Sequence, residues 1–233
     1  MSASPPPQRL RVMFGKRGPL IYIGHLDTAR TWERVLRRAG LPLAYSHGFN
    51  PRPRLQLADA LPLGVSSDCE LMDVWLKTPA LVEGLAARLG AVAPGGLVVH
   101  SVVEVELKGP ALQTLVAAAD YLIAFPEGGA ALDLDARVRR FLACERVERT
   151  RRGKAYDLRP LVHRLAATAD GSLEATLSLG DAGTARPDEL LEALGLSGTL
   201  ATVHRQRLYL RHSLEGAGEP PPFARPPGEA RSA

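Results

Sequence analysis

The sequence predicts an α+β protein built as a tandem of two ferredoxin-like (split βαβ) domains, and three observations predict it. Hydrophobic periodicity gives the order strand, helix, strand, strand, helix, strand in the first half. The same order recurs roughly 103 to 111 residues further on. The second helices of the two halves, TPALVEGLAARLG and RPDELLEALG, both start at proline and stop at Leu-Gly, the usual asymmetry of helix ends. A chain of 233 residues with 45% apolar side chains has room for two cores.

The elements follow in order. Leu10, Val12 and Phe14 alternate with Arg9, Arg11 and Met13, the pattern of a half-buried strand. A helix over 25–39 carries Leu26, Ala29, Val35, Leu36 and Ala39 as its apolar stripe and is stopped by Gly40. Its polar face holds Arg30, Arg34, Arg37 and Arg38. Asp27 is placed to cap free N–H groups at the helix start or to pair with Arg30. A proline-punctuated extended stretch (41–57), a strand (69–76), a helix (78–90) and a strand (97–107) complete the half. The second half reads as a strand (120–125), a helix (132–144), a hairpin (159–169 and 172–179) across Asp170-Gly171, a helix (187–194) stopped by Gly195, and a strand (200–211). The expected organisation is a disordered tail at 1–8, a basic domain at 9–107, a linker at 108–118, a second domain at 119–212 and a disordered Pro/Gly-rich tail at 213–233.

Several function classes fall away. No apolar run is long enough to span a bilayer, and MSASPPPQ lacks the regions of a signal peptide, so a cytoplasmic location is expected. Cys69 and Cys144 are far apart in apolar settings and read as buried small side chains. With no CxxC and no closely spaced Cys and His, neither a metal site nor a cofactor is expected. Gly15-Lys16-Arg17-Gly18 could hold an anion on its amides but is not a P-loop, and no nucleophile elbow is present.

Charge is distributed unevenly. Residues 9–58 hold ten basic and two acidic side chains, a net of +8, while the whole chain carries only +4. Concentrated positive charge attracts polyanions; the bland alternative is a solvated arginine-rich helix. Beside the arginines stand Tyr45, His47, Phe49, Asn50, Arg52 and Arg54, in a loop that glycine and two prolines make rigid. Arg52 and Arg54 flank Pro53 and can straddle a phosphate, while Tyr45, His47 or Phe49 can stack on a base. The expected nucleic-acid-binding set is therefore Lys16, Arg17, Arg30, Arg34, Arg37, Arg38, Tyr45, His47, Phe49, Asn50, Arg52 and Arg54, with Arg52 and Arg54 on the same surface as the polar face of the first helix. Trp32 and Trp75 read as core. A second strip, Arg146, Arg149, Arg151, Arg152 and Lys154, reads as an exposed loop.

The stretch KRGPLIYIGHLDTARTWERVLRRAGLPLAYSHGFNPRPRLQLADALPLGVSSDCELMDVWL resembles the signature of the radical-SAM-linked protein family, and Asp157-Leu158-Arg159-Pro160-Leu161 is the recognisable piece of the second half. That family is a bacterial domain of unknown function, found beside or fused to cobalamin-type radical SAM proteins and sometimes near ribonuclease E/G-type proteins. The resemblance implies a radical SAM protein as partner. The chain itself lacks the CxxxCxxC ligands that such chemistry requires.

The expected function is a non-catalytic RNA-binding or substrate-presenting accessory module for a radical SAM enzyme. Its rival is a protein-interaction subunit docking on that enzyme. A third reading is a metal-independent endoribonuclease using His25, Tyr45 or His47, with His25 and His47 as the acid–base candidates, which rests on fold analogy.

Overall fold

The computed structural model describes residues 7–47, 49–126, 128–180 and 183–211. They form two units, one running to Leu63 and again over Ser67–Leu115, the other comprising Gly64–Ser66 and Val116–Leu210. Of the tail expected at 1–8, residues 1–6 lie outside the described residues, as does the tail expected at 213–233. Gln8, expected in the first tail, instead opens a strand, its amide bonding both the N–H and the carbonyl of Ala80.

The first unit contains β1 (Gln8–Lys16), α1 (His25–Arg38), β2 (Leu55–Leu57), β3 (Val65–Leu76), α2 (Leu85–Val92), β4 (Leu97–Val105) and a short α3 (Leu112–Leu115). β4, β1 and β3 are neighbours in that order, with β2 on β3, and every pair is antiparallel. Alternation along β1 and β3 divides the sheet into two faces. Leu10, Val12, Phe14, Met72, Val74 and Leu76 pack with Trp32, Val35 and Leu36 of α1 and Leu85 and Leu89 of α2 into one apolar core. Trp32 meets Phe14 edge to face at 5.0 Å. The buried positions of α1 are Thr28, Trp32, Val35 and Leu36, so Trp32 takes the place expected of Leu26, which is exposed. Gly40, at φ +67°, stops α1 as expected; its N–H bonds Arg37 O, and the Leu41 N–H bonds Leu36 O.

The opposite face of β1 and β3 is buried and charged. Arg9 and Arg11 converge on Asp73, with Arg9 Nη2 at 2.6 Å and Arg11 Nε at 2.7 Å from its carboxylate oxygens. The three residues are 2%, 7% and 0% exposed. Arg9 also lies over Trp75 and donates to the carbonyls of Gly109 and Pro110, tying the chain beyond β4 to the first strand.

The second unit contains β5 (Val116–Ala124), α4 (Leu134–Ala143), β6 (Glu148–Arg151), β7 (Lys154–Asp157), β8 (Val162–Ala167), β9 (Leu173–Ser178), α5 (Pro187–Ala193) and β10 (Thr202–Leu210). β10, β5, β9 and β8 are neighbours in that order, again antiparallel, while β6 and β7 pair only with each other.

Three expectations need correction. The helix expected from residue 78 starts at Leu85, because the Gln8 side chain holds Ala80 and Gly84 enters the left-handed region before the helix. The strip 146–154 is not a loop: Glu148–Arg151 and Lys154–Asp157 make a hairpin around Arg152 and Gly153, whose φ values of +50° and +76° suit a tight two-residue turn. Cys144 is exposed at the end of α4, its thiol donating to Arg140 O; Cys69 is buried as expected.

Candidate nucleic-acid interface

Charge count and displayed charge differ within residues 9–58. Arg9 and Arg11 are consumed by Asp73. Lys16 is 2% exposed and its Nζ donates to Ile23 O at 2.8 Å, so it does not belong to a surface as expected. Arg17 is half-exposed but bonded through Nε to Asp68 at 2.7 Å. Its backbone N–H donates to Gly96 O, which takes one of the amides expected to hold an anion.

The remaining arginines are displayed. Arg30, Arg34, Arg37 and Arg38 are all exposed on α1, because the core claims the face of Trp32, Val35 and Leu36. Asp27 does not cap the helix; Gly24 occupies that position, and Asp27 pairs with Arg30 at 3.1 Å. Glu33 lies 4.0 Å from Arg37. Arg34 and Arg38 have no acidic partner among the described residues. Arg37 and Arg38 occupy the last turn, where the helix dipole favours cations.

The loop is a hairpin tip. The Ser46 N–H donates to Arg52 O, the Arg54 N–H to Ala44 O, and the Arg52 N–H to Ser46 Oγ at 3.1 Å. Between these rungs His47, Phe49 and Asn50 are exposed, Phe49 completely. Arg52 is exposed beside them. Tyr45 departs from expectation: its ring packs half-buried against the core, with Lys77 Nζ 5.5 Å from its centre, so it is no open stacking platform. Arg54 departs too. Its guanidinium sits 5.0 Å over Trp75, on the sheet face opposite α1, because Trp75 alternates with the core residues Val74 and Leu76. Arg54 therefore does not share a surface with the arginines of α1.

His25 is exposed at the start of α1 and lines a cavity of about 10 Å³ with Lys16, Thr28, Asp59 and Glu70. That space matches a single water. His47 is not part of it. Among the described residues no three His, Cys, Asp or Glu side chains gather as metal ligands would, and no helix is long and apolar enough to cross a membrane.

A family model described as an uncharacterized protein conserved in bacteria (DUF2344) matches residues 9–187. The chain belongs to the DUF2344 family. No curated protein matches it. The DUF2344 stretch opens at Arg9, spans α1 and the hairpin tip, and ends at the first residue of α5. Its description names no partner and no reaction.

Within the second unit, Arg151 is withdrawn from the basic strip. Its Nε donates to Glu189 at 2.7 Å, and its Nη2 to Glu189 and to Thr184 O. The hydrogen bond to Glu189 raises the Arg151 pKa. Burial pushes Glu189 upward, but hydrogen bonds from Arg151 and Tyr156 outweigh it and hold the carboxyl below its ordinary value. Burial, with help from Glu189, raises the Tyr156 phenol. Only the spatial neighbourhood reveals this cluster, since Glu189 follows Arg151 by 38 positions.

Proposed function

We propose that this protein is a non-catalytic RNA-binding accessory module, working in the cytoplasm beside a radical SAM enzyme. The observation that carries RNA binding is Phe49. A wholly exposed aromatic at the tip of a braced hairpin, beside Asn50 and Arg52, has no role in packing. Such a ring offers a stacking surface for an unpaired base, and the adjacent arginine offers a phosphate contact. Arg34 and Arg38 add two cations without acidic partners among the described residues. The radical SAM partner rests on the sequence resemblance alone. The tandem ferredoxin-like reading is supported by the strand order: β4-β1-β3-β2 in the first unit and, with the separate β6–β7 hairpin set aside, β10-β5-β9-β8 in the second both place the first and third strands between the fourth and second.

The test is fluorescence anisotropy of a labelled single-stranded RNA titrated with the whole chain at several salt concentrations. Phe49→Ala should weaken binding by about 1–3 kcal/mol and leave the salt slope unchanged. RNA bound equally well by the variant would remove the basis of the reading.

One observation favours protein docking as a second reading. Tyr22, three residues before α1, and Leu26, in its first turn, are both exposed. Exposed apolar groups beside arginines resemble the centre of a protein interface.

A further inference from the structure

A cavity of about 360 Å³ opens in the second unit between the end of α4, the chain entering β6 and the end of α5. Four arginines line it, Arg137, Arg140, Arg146 and Arg149, and no carboxylate does. Each is placed by the local fold. Arg137 is fixed by its bonds to the carbonyls of Leu132, Leu194 and Gly195, which also neutralises the negative end of α5. Arg140 projects from the last turn of α4 and is exposed, without a side-chain partner among the described residues. Arg146 meets Glu148 only through an exposed contact of 3.3 Å. Arg149 donates from Nη1 to Glu148 O, but its Nε is sealed from solvent and donates to nothing among the described residues.

Four cations around one cavity repel one another. That cost is relieved by an anion with several acceptor oxygens. Phosphate monoesters meet this need: they carry up to two negative charges and pair with guanidinium forks in two places at once. Phe141 and Val147 supply an apolar wall next to the arginines, and the volume falls within the range of small-molecule sites.

We propose that this cavity binds the phosphate of a nucleoside 5′-monophosphate, either free or at the 5′ end of an RNA strand. The proposal goes beyond the RNA surface of the first unit and stands without it.

Cys144 provides the readout. It is exposed and lines the cavity, whereas Cys69 is buried, so N-ethylmaleimide marks Cys144 on the intact chain. Adenosine 5′-monophosphate should slow the labelling, and adenosine should not. Arg140→Ala, which removes a side chain with no partner among the described residues, should keep the melting temperature and raise the concentration needed for protection about tenfold or more. Arg34→Ala with Arg38→Ala should leave protection intact, which separates this site from the first unit. A tetranucleotide with a 5′-phosphate that protects at lower concentration than the mononucleotide identifies a strand end; the mononucleotide protecting better identifies a free nucleotide. Equal effects of adenosine and its monophosphate, no protection by either phosphorylated compound, or full protection of Arg140→Ala would overturn the proposal.

Discussion

The arginines of β1 and those of α1 stand within thirty residues of one another in sequence and have opposite fates. Arg9 and Arg11 face a buried side of the sheet and close on Asp73, while Arg34 and Arg38 are exposed with no acidic partner among the described residues. The difference arises from period. In β1 the alternation that buries Leu10, Val12 and Phe14 sends the odd positions to the sheet's second face, which is also covered. In α1 the helical repeat buries one stripe and leaves the rest wet. The same residue type therefore acts as a structural clamp in one element and as a source of external field in the other, and a net of +8 overstates what a polyanion meets.

The sharpest way to test this contrast is Asp73→Ala. It leaves two guanidinium groups buried without their counter-charge, and the expected loss is about 3–5 kcal/mol in urea unfolding. A loss below about 1 kcal/mol would mean that Arg9 and Arg11 escape to water and the contrast is false.

Glu189→Gln probes an intermediate case, since Arg151 and Glu189 are 27% and 14% exposed. The expected cost at neutral pH is about 1–2 kcal/mol. The Glu189 pKa is depressed in the folded state, so its contribution is complete above the unfolded carboxyl pKa and is lost as pH falls through the lower, folded one. Thermal melts across that acidic window should show a smaller decline for Glu189→Gln than for the parent.

The smallest effect on stability belongs to Arg34→Ala with Arg38→Ala, within about 0.5 kcal/mol of the parent. The same pair should flatten the dependence of log K on log salt for single-stranded RNA by about 1.4, corresponding to two phosphates. A shift in melting with no change in slope would reverse the roles assigned to the two groups of arginines.

Much of this was legible because it is local. The alternation of β1, the glycine after α1, the hairpin across Asp170-Gly171 and the proline that opens α5 all depend on neighbours a few positions away. Misreadings came where a distant partner decides. Thr78-Pro79 has the look of a helix start, but Gln8, 72 positions from Ala80, ties the chain there by bonding the Ala80 N–H, and the helix begins only at Leu85. Asp73 looks like any strand carboxylate until β1 is laid antiparallel beside it. The turn at Arg152-Gly153 was hidden because arginine seldom adopts positive φ, although the alternation in ERTR and KAYD flanking it was a usable signal. In the candidate interface, the exposure of Phe49 and Arg52 followed from the rigid loop, whereas the stacking of Arg54 on Trp75 required the register of β3.

The clasp of Arg9 on the carbonyls of Gly109 and Pro110 has a consequence for synthesis. β1 leaves the ribosome before β3 and β4, yet it lies between them, and its last polar contacts lie about 100 residues downstream. At about 5–20 residues per second the nascent strand waits roughly 5–20 seconds for its neighbours. During that interval Leu10, Val12 and Phe14 form an unpaired apolar edge, of the kind that seeds aggregation. Arg9 and Arg11, interleaved with them, act as gatekeepers that discourage one nascent chain from pairing with another. The two arginines thus protect the strand in transit before Asp73 arrives to neutralise them.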